Sequence, residues 1–297
     1  MLHFSIFLSI FFKHLLLVLL KIEEMKEMTL REIQLMALDI VKDIHAFCVE
    51  NGIKYTLAYG SLIGAIRHEG FIPWDDDIDI WMPRPDFDRF CKLYKNREYT
   101  LKSIYNNDSD TIITRVYDTR KTVTKQSRAF CNTETGVWVD VMVLDGAPDE
   151  NEYSKHYSSI RKYYTGFQFF RQHKGENLIE CAKILCKKII CAYRTVIGHN
   201  KDWWVKGYMR LCEKYKFGET KLCANYGCHS SLITGKNEFF NTSSFTEEYI
   251  PHKFEDTQLY IIKDYDAVLT YIYGDYMKLP PIEQREYHSK FVRYYWK

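Results

Sequence analysis

Between Trp74 and Trp81 the chain reads Trp-Asp-Asp-Asp-Ile-Asp-Ile-Trp, with Phe71-Ile72-Pro73 just ahead of it. Four carboxylates in so apolar a run repel one another and resist burial, so the fold that forms must offset their charge. In an extended segment, residues two apart share a face. Asp75, Asp77 and Asp79 then line one side, while Asp76, Ile78 and Ile80 line the other. A solvated acidic turn fits poorly, because apolar residues precede and follow the cluster. An EF-hand calcium loop fails too. It needs Gly at its sixth position and an acidic residue, usually Glu, at its twelfth; here these are Ile80 and Asp86, the latter just beyond two prolines. A divalent cation held by hard oxygen ligands answers the charge, with Mg²⁺ or Mn²⁺ the expected cofactor. Mg²⁺ sites commonly join one or two carboxylates to substrate phosphates, so the segment points to phosphate chemistry.

Other residues extend that expectation. Gly60-Ser61 lies between a β-rich run at 53–58 and a short helix predicted over 62–68. A turn there aims backbone N–H groups and the Ser61 hydroxyl at an anion. Arg67 and His68 end the helix and are candidates to neutralise phosphate oxygens, although surface charges are the plainer reading. In the run 136–145 the valines alternate with Trp138, Asp140, Met142 and Leu144. A lone Asp140 in so apolar a strand needs a partner or a metal. Asp145 precedes Gly146 and reads as a turn residue. Arg115, in a strand predicted over 112–118, is a candidate phosphate or glycan contact.

The wider pattern is α+β: a mixed sheet in the first half with a helical elaboration behind it. A helix over 30–51 is marked by Thr29 and Glu32 as a capping box, by apolar residues from Ile33 to Phe47 at helical spacing, and by Asn51-Gly52 at its end. Strands are expected at 78–82, 99–105, 112–118, 136–144 and 258–262. Helices are expected at 85–95, through 150–215 with a break at Gly198, and over 265–273 ending at Gly274. The chain divides into an apolar extension, 1–28, and one domain, 29–297.

At 297 residues, 46% hydrophobic and 16% aromatic, the chain can bury a large core. Its net charge of +2 supplies no basic field to recommend nucleic acid as a partner. The nine cysteines are scattered without a Cys-x-x-Cys pair, as expected of buried thiols in a reducing compartment. The run from Leu2 to Leu20 is strongly apolar but carries Lys13 and His14. It has no basic region ahead of it, as a secretory signal has, and a spanning helix would bury that lysine. Three readings stand: a membrane-associating helix, an upstream start that adds nothing to the fold, and a transmembrane anchor.

The run Tyr59-Gly-Ser-Leu-Ile-Gly-Ala-Ile-Arg-His-Glu-Gly-Phe-Ile-Pro-Trp-Asp-Asp-Asp-Ile-Asp-Ile80 resembles the signature of the LicD–fukutin family of phosphotransferases. The resemblance continues through Gly136-Val-Trp-Val-Asp-Val-Met-Val-Leu-Asp-Gly146 and Tyr271-Ile-Tyr-Gly-Asp-Tyr-Met-Lys-Leu-Pro-Pro281. It implies a nucleotidyltransferase-like mixed sheet flanked by helices. It also implies transfer of a phosphoalcohol, phosphocholine foremost, from a CDP-activated donor such as CDP-choline to a hydroxyl of a cell-surface glycan: lipopolysaccharide, teichoic acid or capsule. Asp75, Asp77, Asp79 and Asp140 would form the catalytic and metal-binding set. Gly60, Ser61, Arg67, His68 and Arg115 would contact substrate. The expected location is the cytoplasm, in association with the inner face of the membrane. The family often ends its last motif in paired histidines; here only His288 remains, and it is assigned no role.

Three other functions compete. A nucleotidyltransferase handing NMP to a small molecule or protein would share the fold and the metal site. A sugar-nucleotide glycosyltransferase would leave the Gly-Ser turn without a task. A catalytically dead binding module would have no need of the intact acidic set.

Overall fold

The computed structural model describes residues 25–96, 98–106, 111–126, 135–170, 178–227, 239–285 and 292–297; the side chains of 125–126 and 178–181 lie outside the description. Helix α1, Leu30–Asn51, forms where the sequence places it. The Thr29 hydroxyl accepts from the Glu32 N–H and the Glu32 carboxylate accepts from the Thr29 N–H, while Gly52 closes the helix at φ 58°. Its buried stripe of Ile33, Met36, Ala37, Ile40 and Ile44 packs toward the sheet.

Strand β1, Thr56–Leu57, leads into α2, Tyr59–His68, which is followed by β2, Asp79–Pro83, and α3, Arg84–Leu93. Next come β3, Tyr99–Lys102, β4, Thr114–Asp118, β5, Thr122–Gln126, and β6, Trp138–Ala147. Strand β6 is the axis of the mixed sheet. It pairs parallel to β2 on one side and antiparallel to β4 on the other, giving the order β1-β2-β6-β4-β3. Its far end pairs with β7, Leu222–Ala224, which pairs in turn with β8, Phe239–Asn241.

Behind the sheet lie α4, Glu150–Gln168, α5, Leu178–Val196, and α6, Lys201–Cys212. Helices α4 and α6 pack closely because Gly166 faces the Trp204 ring and Gly207 faces the Tyr163 ring, and a Cβ on either glycine would collide. A one-turn helix α7, Ser243–Thr246, a hairpin of β9, Tyr249–Phe254, and β10, Thr257–Ile262, and helix α8, Tyr265–Tyr273, follow. Strand β11, Val292–Trp296, closes the chain against β5.

The structure departs from the sequence expectation in several places. Helix α2 begins three residues early, at Tyr59 with φ 45°, so Gly60-Ser61 is its first turn and no separate loop. It ends at left-handed Glu69 rather than at Gly70. Asp145 is no turn residue. It sits within β6, 1% exposed, and takes both forks of Arg84 at 2.6 and 2.8 Å. Strands β5, β7, β8, β9 and β11 carry no clear sequence signal. Upstream of Thr29, the Met28 N–H donates to Tyr294 O and the Trp296 N–H donates to Lys26 O, so residues 26–28 are bonded into the domain. His288 and residues 1–24 lie outside the described residues. No helix among the described residues is long and apolar enough to cross a membrane.

The Arg84–Asp145 pair is buried and bidentate, and loss of one member would strand the other charge. Asp145→Asn should lower the unfolding free energy by about 3–5 kcal/mol in urea titration, with Arg84→Met/Asp145→Leu recovering much of it. A loss below about 1 kcal/mol would refute this account of the pair.

Candidate active site

Two strand registers set the charges in a row. Asp79, the first residue of β2, lies beside Asp140 in the parallel pairing, and Arg115 of β4 lies beside Asp140 on the other side. Arg115 Nε donates to Asp140 Oδ1 at 2.5 Å, and Trp138 Nε1 donates to Oδ2 at 3.3 Å. The guanidinium also stacks on Trp138, 4.5 Å from a ring centroid. Asp77 completes the group: one carboxylate oxygen each from Asp77, Asp79 and Asp140 lie within 4.8 Å of one another. Asp75, Asp76 and Asp77 meet the same limit as a second set.

The alternation read from sequence persists in burial, although β2 begins only at Asp79. Asp75, Asp77 and Asp79 are half-buried, while Asp76, Ile78 and Ile80 are buried. Asp76 belongs inside the cluster as a charge, since it is 2% exposed and adds to the field on Asp75.

The backbone that carries these carboxylates is pinned from three directions. Ser61 Oγ accepts the Asp79 N–H at 2.9 Å, Asp79 O accepts the Ala58 N–H at 2.9 Å, and Ile78 O accepts the Asp140 N–H at 2.9 Å. Gln34 of α1 donates to Asp75 O at 2.8 Å. Gly60 has its own reason to be glycine, since a Cβ there would stand 2.6 Å from Asp75 Oδ2. The anion at the start of α2 is thus the Asp75 carboxylate, where the helix's positive end favours it. Gly60 and Ser61 therefore act first on the acidic row itself.

Burial and like charge leave the row under strain. Burial raises the Asp75 carboxyl to about 6, reinforced by Asp76. Burial, then Asp77, Asp140 and Asp75, push Asp79 well above the carboxylate range against the pull of Arg115. Burial opposes the Arg115 charge most strongly, but Asp140 and Tyr117 together more than offset it, so the guanidinium stays protonated. Arg115 therefore meets a carboxylate inside the site.

Arg67 and His68 reach a neighbouring patch. Arg67 donates to Tyr276 O at 2.6 Å and to His68 Nε2 at 3.0 Å. The His68 ring meets Trp74 edge-on at 6.5 Å. Sequence reasoning missed Arg285, whose guanidinium carbon stands 5.3 Å from a Trp74 ring centroid and whose charge depresses Arg67 after burial does. Neither guanidinium has a carboxylate partner among the described residues. Trp74 ties this pair to the acidic row, being the residue before Asp75. Tyr294 of β11 was also missed. It packs on Trp138 at 5.5 Å and lies in the field of Asp76, Asp77, Arg115 and Asp140, walling the cluster from water.

Comparison with known proteins bears on this arrangement. The family model described as "LicD/FKTN/FKRP, nucleotidyltransferase domain" matches residues 52–176, which hold the acidic row, Arg115 and Asp140. The lipopolysaccharide cholinephosphotransferase LicD of Haemophilus influenzae is 30% identical over 277 residues, covering 89% of this chain and 97% of that protein. The chain belongs to the LicD family. An uncharacterized protein of Rickettsia prowazekii matches at 28% over 132 residues, 43% of this chain and 46% of its own. A Rickettsia typhi relative matches at 39% over 66 residues, 21% of each chain. In this LicD-family protein the acidic row falls where the family match and the long relative overlap.

The sign of the pH effect follows from Asp75. Its folded pKa lies above the ordinary carboxylate value, so the native state holds the proton more tightly, and stability is lost as pH rises through about 6. Without added metal, Asp75→Asn should exceed the wild type in Tm at neutral pH, and the gap should shrink as pH falls toward about 5. A gap that widens on acidification contradicts the assignment.

Proposed function

We propose that this protein transfers phosphocholine from CDP-choline to a hydroxyl of a cell-surface glycan, lipopolysaccharide in the first instance, and releases CMP. One observation carries the reading: Asp77, Asp79 and Asp140 converge at the junction of β2 and β6, with one counter-charge, Arg115, on Asp140. The glycan and choline classes rest on the Haemophilus relative, whose similarity runs through nearly its whole length.

The donor set fits a divalent cation, being hard carboxylate oxygens within 4.8 Å, enclosed and short of positive charge. Asp77, Asp79 and Asp140 would hold Mg²⁺ or Mn²⁺, with Asp75 at the edge of the set. Such an ion supplies charge neutralisation for a diphosphate and its leaving group. The remaining work belongs to the chain. The acceptor hydroxyl oxygen attacks the choline-bearing phosphorus as the bond to the CMP phosphate breaks. Asp75, raised to about 6, is suited to take the hydroxyl proton near neutral pH. Asp140 is less suited to that task, since both its oxygens accept hydrogen bonds from Arg115 and Trp138. Arg115 fixes the Asp140 carboxylate in place. Arg67 and Arg285 offer guanidiniums to the donor's phosphates, with His68 between Arg67 and Trp74.

Incubation with CDP-choline, Mg²⁺ and a lipopolysaccharide acceptor should release CMP. Asp77→Ala/Asp79→Ala should cut that release at least about a hundredfold and abolish the Mg²⁺-induced rise in Tm. Pyrophosphate release from a nucleoside triphosphate, with no CMP from any CDP-alcohol, would favour nucleotidyl transfer instead. Arg285→Gln should raise the KM for CDP-choline about tenfold with a smaller change in kcat. An unchanged KM removes Arg285 from the donor site.

A further inference from the structure

Helix α5, Leu178–Val196, is out of keeping with its sequence. None of its described side chains enters the three apolar cores of the domain. Two of its residues attach it to the body through polar or cationic contacts. The Cys191 thiol donates to Phe169 O at 3.0 Å, and the Arg194 guanidinium lies over the rings of Phe169 at 4.3 Å and Trp204 at 5.3 Å. Leu185, Ile189, Tyr193 and Val196 recur at spacings of four, four and three, which makes one continuous stripe. That stripe is turned outward: the four are 60%, 61%, 65% and 85% exposed. Ile190 and Ile197 widen it and are exposed as well. An ordinary surface helix hides its apolar face. This one presents it.

The charges decide what the face fits. Helix α5 carries Lys183, Lys187, Lys188 and Arg194 against the single acid Glu180; Lys183 and Lys188 are exposed, while Lys187 is half-buried and Arg194 is turned onto the body. Lys183 and Lys187 border an open groove of about 720 Å³ whose floor includes Phe169 and Ile190. The groove shares no lining residue with the acidic row. An exposed apolar stripe beside a row of lysines, with Tyr193 in the stripe and Trp203 half-exposed just beyond the helix end, matches a helix lying in the plane of a membrane interface. Helix α5 carries too many charges to span a bilayer.

We propose that α5 seats this protein on an anionic phospholipid surface, its Leu185–Ile189–Tyr193–Val196 stripe inserted at the level of the headgroups and the exposed Lys183 and Lys188 paired with lipid phosphates. Charge complementarity favours this occupant over a second copy of the chain, which would set the same basic rows against each other. The seat is independent of the transfer chemistry, and its test has no catalytic readout.

The test is co-sedimentation of the full chain with vesicles of phosphatidylcholine, with and without phosphatidylglycerol. Binding to the anionic vesicles is expected, and it should weaken as salt rises. Leu185→Ser/Ile189→Ser should lower partitioning at least about tenfold. Lys183→Gln/Lys188→Gln should lower it about tenfold, on anionic vesicles only. Both pairs alter exposed side chains, so the Tm should hold. Absence of vesicle binding overturns the proposal. So does binding that survives both variant pairs, which puts the membrane contact elsewhere. Light scattering that finds a dimer dissolved by Leu185→Ser/Ile189→Ser, without vesicle binding, makes the face a self-interface and overturns it too.

Discussion

The parallel pairing of β2 with β6 is the constraint on which the rest depends. It alone brings Asp79 beside Asp140, two groups 61 positions apart in the chain, and it does so against their repulsion. Much of the surrounding structure can be understood as what that pairing requires. Arg115 comes in from β4 to answer one carboxylate. Ser61 and Ala58 hold the backbone at Asp79, and Gly60 leaves room for Asp75. One arginine among five acids leaves the balance negative, which suits a role in binding positive charge.

Much of this was legible from residues alone, for reasons that are local. The Thr29–Glu32 cap and the Gly52 stop are written within one helical turn of the ends they mark, so α1 could be bounded to the residue. The acidic row was legible because charge in apolar company is costly wherever it falls. Asp140 was legible for the same reason. What stayed hidden depends on distant partners. Asp145 looks like a turn residue beside Gly146, and only the arrival of Arg84 makes a buried strand position tolerable for it. Arg285 is an unremarkable basic residue in sequence, and only the Trp74 ring gives it a place. Strands β5 and β11 are polar and aromatic without clean alternation, and they pair with each other across 170 residues of chain. Gly60-Ser61 misled in a smaller way. The pair resembles a loop, yet left-handed Tyr59 makes the turn one residue earlier, with its ring lodged against Trp81 at 4.6 Å.

The two arginines at β6 illustrate how burial assigns different tasks to one chemistry. Arg84 meets Asp145 through both forks and holds strand to helix. Arg115 meets Asp140 through Nε and stacks on Trp138, which leaves the acidic row open on its other side. A lysine could supply the charge at either position, but neither the bidentate fork nor the flat stacking surface.

The ladder that forces Asp79 and Asp140 together is followed, five residues on, by Arg84 and Asp145. The last paired positions are Pro83 and Leu144, and the residue after each, Arg84 at the start of α3 and Asp145 within β6, carries one half of the ion pair. One end of the ladder repels and the other attracts. Pairing strands so far apart in the chain is a slow search, and the attractive end is the natural place for it to start. If zipping starts there, it reaches the acids last, beyond the barrier. In that order the repulsion would fall on the native side of the barrier, hastening unfolding and leaving the folding rate almost untouched. The cost of the acidic row would then be a kinetic matter, felt as a shorter native lifetime rather than a slower birth.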